Sequence, residues 1–325
     1  MKKRISIVIP CYYSSNTIGT VLDGISETMT NHAYENYEVI LVNDGSCDET
    51  FRVISDYAMR DSHVVAVDLS KNFGQHSALM AAYSLVTGDY VLGMDDDGEH
   101  NPAEMFKLID KLEEGYDYVC AELIGSDHSL YKILGSKVND WMVTNCIGKP
   151  KNAIFSSYYV MRRYVVDQIV KSHNPRPYIG GMIVSVTKKM ASVPIQHCSR
   201  LSGRSGYRLK NSIDLWVNGV TAYSVVPLRI ATMLGFGFSA LGILVSIYHI
   251  IRKLLHPEIL AGFTSIISCV LIVGGVNMLL MGMIGEYVGR IYMLNNQIPQ
   301  YVIKTICKKE DFLIDAELVR SNGEH

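Results

Sequence analysis

Residues 230–251 and 259–284 carry no Lys, Arg, Asp or Glu across 22 and 26 consecutive positions, and nothing else in the 325-residue chain constrains its fold as much. Hydrocarbon offers no hydrogen-bond partner to a peptide backbone, so an uncharged run of this length crosses a bilayer as a helix, for which ~20 apolar residues suffice. Two crossings joined by the short RKLLHPE segment (252–258) make a hairpin that returns the chain to its starting side. Arg200, Arg204, Arg208, Lys210, Arg229, Arg290, Lys304, Lys308 and Lys309 flank it there, against Arg252 and Lys253 in the loop. The positive-inside tendency then places both termini in the cytosol, on a multi-pass protein of the cytoplasmic membrane. The opening MKKRISIVIP has too short an apolar run for the core of a secretory leader, so the N-terminal part is expected to stay cytosolic. The stretch GFGFSALG (235–242) has the outward form of a dinucleotide loop, but it follows no strand and lies inside a span, where small residues serve helix packing.

Composition agrees with a membrane-associated, reducing-compartment protein. A mean hydropathy of +0.14 with 19% charged residues is high for a soluble chain, and the excess lies in the C-terminal third. The seven cysteines are odd in number, scattered and without a C-x-x-C pair, which suits free thiols. A net charge of −2 and a pI near 6.5 give no global basic footprint for nucleic acid, so no nucleic-acid partner is expected.

The N-terminal half alternates two periodicities. Residues 4–10, 37–42, 64–69 and 89–94 are short runs rich in β-branched residues, each followed by polar or glycine-bearing sequence and then by helix-like stretches near 16–29, 48–60, 75–87 and 102–114. This predicts an α/β domain with a mainly parallel sheet and helices on both faces. A strand at 116–121, a helix near 129–146 and a strand–helix pair at 154–171 continue it, and this half is assigned to acceptor recognition. The domain is expected to span 1–206. Residues 207–228 follow as a membrane-surface segment, whose 207–224 part reads equally as a buried globular helix. The hairpin occupies 229–290, and the tail, 291–325, is expected to pack against the catalytic domain or against a neighbouring subunit of a homo-oligomer.

Ligands of parallel sheets bind beyond the carboxyl ends of the strands, and the suggestive residues sit there. In MDDDGEH (94–100) an apolar run ends in three successive aspartates. Like charges this close are tolerated when a cation sits among them: Asp95 and Asp97 can turn toward one ligand, and Glu99 offers a third oxygen. Oxygen donors select hard ions, Mg²⁺ or Mn²⁺, which commonly bridge to phosphate. The competing reading is a solvated acidic turn that caps the helix beginning near Pro102. In VNDGSCDET (42–50), Asp48 is placed to cap the next helix and Asp44 to accept hydrogen bonds from a base or ribose. In DLSKNFGQHSALMAAY (68–83), Lys71, Asn72 and Gly74 form a loop whose amides and cation can meet phosphate oxygens, or an ordinary helix start.

Taken in order, SIVIPCYYSSNTI, LVNDGSCDET, LSKNFGQHSALMAA, GDYVLGMDDDGEHNPAEM, RLSGRSGY, SVVPLRIATMLG and MGMIGEYVGRIY resemble the inverting glycosyltransferases of the type-A (GT-A) fold, in the branch that moves a sugar from a nucleotide sugar to a membrane polyprenyl phosphate. The resemblance implies a nucleotide-sugar site with Pro10, Tyr12 and Asp44 around the base, Asp95 near ribose and metal, and Asp97 as a metal ligand; a UDP-sugar is the expected donor, with Lys71 and Asn72 near its phosphates and Asp96 either at the donor or supporting the turn. Glu99 stands where the family has glutamine and is expected to coordinate as well. Lys132 and Lys137 in YKILGSK, and Arg200, Arg204, Ser205 and Tyr207 in SRLSGRSGY, are implied for the lipid phosphate, against a reading of the basic residues as interfacial cations.

Two departures stand out. The family's early YNE reads Tyr12-Tyr13-Ser14, leaving Ser14 or Asn16 to replace the glutamate. The aspartate often proposed as the base is absent from IFSSYYVMRR (154–163), and Ser156 and Ser157 cannot act as bases. A lipid phosphate has a second pKa of about 6, so near neutrality it attacks without giving up a proton and a base is dispensable. The alternative from another class is a nucleotide-sugar-sensing accessory subunit of a transporter or flippase.

Overall fold

The computed structural model describes residues 2–124, 144, 150, 154–196, 226–255, 263–296, 298–309 and 311–315. Strands β1 (Ile5–Cys11), β2 (Tyr37–Asn43), β3 (Val64–Leu69) and β4 (Tyr90–Gly93) lie parallel in the order β4-β1-β2-β3, with Val8 opposite Ile40 on one side and Gly93 on the other. Their near-continuous apolar character follows from burial on both faces. The period of two then sorts side chains between two cores. Ile7 and Ile9 face helices α1 (Ile18–Asn31), α2 (Thr50–Arg60) and α4 (Met105–Glu113), meeting Ile25, Ile54 and Leu108. Val8 faces the opposite way, into a core with α3 (Gln75–Tyr83), α5 (Arg163–Ile169) and α6 (Ile179–Val186), where Met80, Val166 and Ile183 are buried.

The sheet is more mixed than its first half predicts. Strands β5 (Tyr118–Ile124), β6 (Tyr159–Arg162), β7 (Met190–Gln196), β8 (Ile303–Lys308) and β9 (Asp311–Asp315) complete the order β7-β5-β6-β4-β1-β2-β3-β8-β9. Strand β6 runs antiparallel to both β4 and β5, and β8 antiparallel to β3. A strand that re-enters from the opposite edge needs no crossover helix, and its apolar run is indistinguishable in sequence from that of a parallel strand. The β8 edge comes from the tail, so this segment packs on the catalytic sheet. Ser70 N donates to Val302 O at 2.9 Å, Gln300 Nε2 to Ser172 O at 2.6 Å, and Lys304 Nζ lies 3.5 Å from Asp68.

Between sheet and tail stand two long helices, α7 (Val226–Leu255) and α8 (Phe263–Asn295), which contain most of the two uncharged runs and contact each other. Their apolar side chains face outward: Leu244 is 65% exposed and Met281 74%. Among the described residues one stretch, Ile272–Asn295, meets the length and composition of a bilayer-crossing helix. The expected helix at 129–146 lies almost wholly, and the surface segment 207–224 entirely, outside the described residues.

Candidate active site

Because β1 to β4 are parallel, the loops that leave their carboxyl ends emerge on one edge. Tyr12–Ser14, Asp44–Ser46, Lys71–Gly74 and Met94–His100 all leave from there, and their hydrogen bonds knit them together.

Asp44 is 3% exposed. Its two oxygens accept from Phe73 N at 2.7 Å and Gly74 N at 2.8 Å, so it anchors the loop after β3. Burial raises its pKa, and the two amide bonds only partly oppose that. Gly45 follows with φ +64°, and a Cβ there would stand 2.3 Å from the Lys71 carbonyl carbon and 2.4 Å from Asn72 N. Only glycine allows the two loops to touch backbone to backbone. Lys71 and Asn72 are exposed, with Lys71 Nζ 5.0 Å from the centroid of the Phe73 ring. Asp48 accepts from Thr50 N at 3.2 Å and Thr50 Oγ1 at 2.6 Å, so it bonds the first residue of α2, while the N-cap position itself falls on Glu49.

The loop after β1 presents aromatic surface on a constrained backbone. Pro10 is still within β1, paired with Val42. Tyr12 and Tyr13 are each about half exposed, with ring centroids 4.6 Å apart. Tyr13 adopts φ +57°, a left-handed conformation uncommon outside glycine, while its N–H donates to Ser46 Oγ at 3.0 Å. Ser14 is buried: its N–H donates to Thr50 Oγ1 at 2.9 Å and its hydroxyl to Asp96.

The three aspartates thus have three environments. Asp96 accepts from Ser14 Oγ and from Tyr12 N (3.1 Å) and so supports the loop after β1. Burial pushes its pKa up to about 6, with the Asp95 charge adding to the rise and the Ser14 and Tyr12 bonds opposing it. Asp95 receives Gln75 Nε2 at 3.0 Å on one oxygen and Ser157 Oγ at 2.5 Å on the other. Asp97 accepts from Glu99 N at 3.1 Å across Gly98, whose φ is +78°. That tight turn carries the chain to His100, which folds back so that Nδ1 accepts from Asp95 N at 3.0 Å.

Half-buried carboxylates at a strand end suit a hard divalent cation such as Mg²⁺ or Mn²⁺. The expected trio of Asp95, Asp97 and Glu99 is not gathered, however: among the described residues no three His, Cys, Asp or Glu side chains converge on one point. The fit is therefore to one or two carboxylates with ligand and water oxygens completing the shell. Lys132, Lys137, Arg200, Arg204, Ser205 and Tyr207 lie outside the described residues.

Sequence reasoning passed over Gln75 and His100 and credited Ser157 with no role. The available signal was their position, within or just before elements that open onto the same sheet edge. Conversely, Ser14 and Asp44 were expected at the donor, and Asp96 at the donor or in support of the turn; the hydrogen bonds of all three run to neighbouring loops and helix starts.

The glycosyl transferase family 2 profile matches residues 6–178, and the profile described as the GtrB C-terminal hairpin matches residues 226–291. An undecaprenyl-phosphate 4-deoxy-4-formamido-L-arabinose transferase of Klebsiella pneumoniae is 29% identical over 312 residues, 95% of each chain. Its namesake from Photorhabdus laumondii is 28% identical over 307 residues, 94% of each. Glucosyl-3-phosphoglycerate synthase from Mycobacterium tuberculosis, crystallised with Mn²⁺, uridine diphosphate and phosphoglyceric acid, shares the fold at a TM-score of 0.50 and 20% identity, over 67% of this chain and 76% of that one. With its α/β sheet, its strand-end site and a profile match across more than half its length, this chain belongs to glycosyl transferase family 2.

Proposed function

We propose that the protein transfers a monosaccharide from a nucleotide sugar, a UDP-sugar first among candidates, to a polyprenyl phosphate held in the membrane, with inversion at the anomeric carbon. The observation that carries this reading is the union of a carboxylate turn at the strand-end edge and an apolar C-terminal hairpin, in a chain similar along 95% of its length to transferases named for undecaprenyl phosphate. The hairpin crosses the cytoplasmic membrane twice and keeps the catalytic domain on the cytosolic side.

Asp95 and Asp97 would hold the divalent ion, Mg²⁺ or Mn²⁺, and Glu99 would be a further oxygen donor. When bound, the ion supplies Lewis-acid stabilisation of the departing diphosphate. Tyr12 and Tyr13 offer the base an aromatic surface beside Pro10, and Lys71 and Asn72 face the phosphates. Asp44, Ser14 and Asp96 contribute by holding these loops in place. On the membrane side Lys132, Lys137, Arg200 and Arg204, with Ser205 and Tyr207, bind the acceptor phosphate and offset the repulsion between two anionic substrates. A phosphate oxygen of the acceptor forms the new bond to the anomeric carbon as the bond to the nucleoside diphosphate breaks. With the acceptor's second pKa about 6, no protein base is required near neutrality.

The test is direct. Membranes containing the protein, given Mg²⁺ or Mn²⁺ and a panel of radiolabelled nucleotide sugars that includes a 4-deoxy-4-formamido-L-arabinose donor, form an organic-extractable lipid labile to mild acid. Asp97→Asn abolishes labelling without altering membrane insertion. No lipid product from any donor would refute the transferase reading, and undiminished turnover by Asp97→Asn would remove the metal assignment.

A further inference from the structure

Asp95 is held at both carboxylate oxygens and at its backbone N–H. Oδ1 accepts from Gln75 Nε2 at 3.0 Å, and Oδ2 accepts from Ser157 Oγ at 2.5 Å. His100 is 3% exposed. A backbone N–H can only donate, so the 3.0 Å bond from Asp95 N requires His100 Nδ1 to be unprotonated. The ring proton therefore sits on Nε2, which lies 3.9 Å from Asp95 Oδ2. The ring is clamped in turn: it stacks on Tyr158 with centroids 4.9 Å apart and planes at 17°, and Tyr158 Oη donates to Asn101 O at 2.9 Å. Ser157 and Tyr158 are consecutive, so one segment bonds the Asp95 carboxylate and backs the ring that holds the Asp95 backbone.

A carboxylate oxygen has two lone pairs, so accepting a hydrogen bond does not prevent it from also coordinating a cation. A ligand oriented in this way has given up its rotational freedom before the cation arrives, and loss of such supporting bonds typically costs 10- to 100-fold in metal affinity or activity.

We infer that Ser157, Gln75 and His100 are positioning residues that aim the Asp95 carboxylate at the divalent ion, an inference that rests on the transferase reading above. Ser157 thereby acts through Asp95 although it cannot serve as a base.

The experiment titrates the purified full-length protein in detergent with Mn²⁺, alone and with UDP, following free Mn²⁺ by electron paramagnetic resonance, and measures transfer against Mn²⁺ concentration. Ser157→Ala is expected to weaken Mn²⁺ binding about 10-fold or more, with turnover substantially recovered at high Mn²⁺, and Ser157→Thr, which keeps the hydroxyl, to restore affinity. Gln75→Met, at an exposed helix start where unfolding is no explanation, is expected to shift affinity in the same direction. Wild-type Mn²⁺ affinity in both Ser157→Ala and Gln75→Met overturns the positioning role. Failure of the wild type itself to bind Mn²⁺, or undiminished binding by Asp97→Asn, overturns instead the metal reading beneath it.

Discussion

Replacing Asp44 by alanine removes the acceptor from two backbone N–H groups at once. Phe73 N and Gly74 N reach the carboxylate at 2.7 and 2.8 Å, and the side chain they meet is 3% exposed, so water cannot readily take its place. Leaving one buried donor unsatisfied costs about 1–3 kcal/mol, hence roughly 2–6 kcal/mol for the pair. Part of that is returned, because burial raises the Asp44 pKa and the folded protein gives up an unfavourable buried charge with the substitution. A net loss of about 2–4 kcal/mol is expected, which at ~2–4 °C per kcal/mol for a domain of this size lowers the melting temperature by roughly 4–16 °C. Asp44→Asn, which retains one acceptor oxygen, is expected to fall between the two. Thermal unfolding of the full-length protein in detergent, followed by intrinsic fluorescence, measures the shift. The same release frees the Lys71–Gly74 loop, so the KM for the nucleotide sugar rises more than kcat falls. A melting temperature for Asp44→Ala within 1–2 °C of wild type, about half a kcal/mol, would refute the view that this carboxylate holds the loop.

Gly45→Ala should destabilise by ~1–2 kcal/mol for a left-handed backbone and a further ~1–3 kcal/mol for overpacking against Lys71 and Asn72; an unchanged melting temperature would contradict the backbone contact. Asp96 makes a pH prediction whose sign follows from burial. Its pKa rises from 3.8 to about 6 on folding, so between those values the folded protein binds more protons than the unfolded one. Its contribution to stability is therefore fully present below pH ~4 and lost as pH rises to ~6, by about 3 kcal/mol in all. Melting temperatures of the metal-free protein measured across this range should decline more steeply for wild type than for Asp96→Asn, and superimposable profiles would show that Asp96 does not titrate there.

The elements that arise from local pattern were legible in the sequence. The alternation of β-branched runs with helical stretches located β1 to β4 and their helices to within a few residues, and the two uncharged runs located α7 and α8. Because parallel strands send their following loops to one edge, the sequence also assigned the candidate residues to a single site before any contact was known, and the order of its motifs carried the family resemblance. What tertiary structure decided is which side chain meets which. Ser14 and Asp96 are 82 residues apart, Ser157 and Asp95 are 62 apart, and the bond from Ser70 N to Val302 O joins segments still farther apart. No periodicity encodes such pairings, since they exist only after the sheet has closed and its two edges have taken β6 and β8 in antiparallel register. For MDDDGEH, composition alone determined a dense negative charge beyond a strand. Packing then distributed it: Asp95 was turned to Gln75 and Ser157, Asp96 was drawn under the neighbouring loop toward a pKa near 6, and Asp97 closed the turn that brings His100 back onto the backbone.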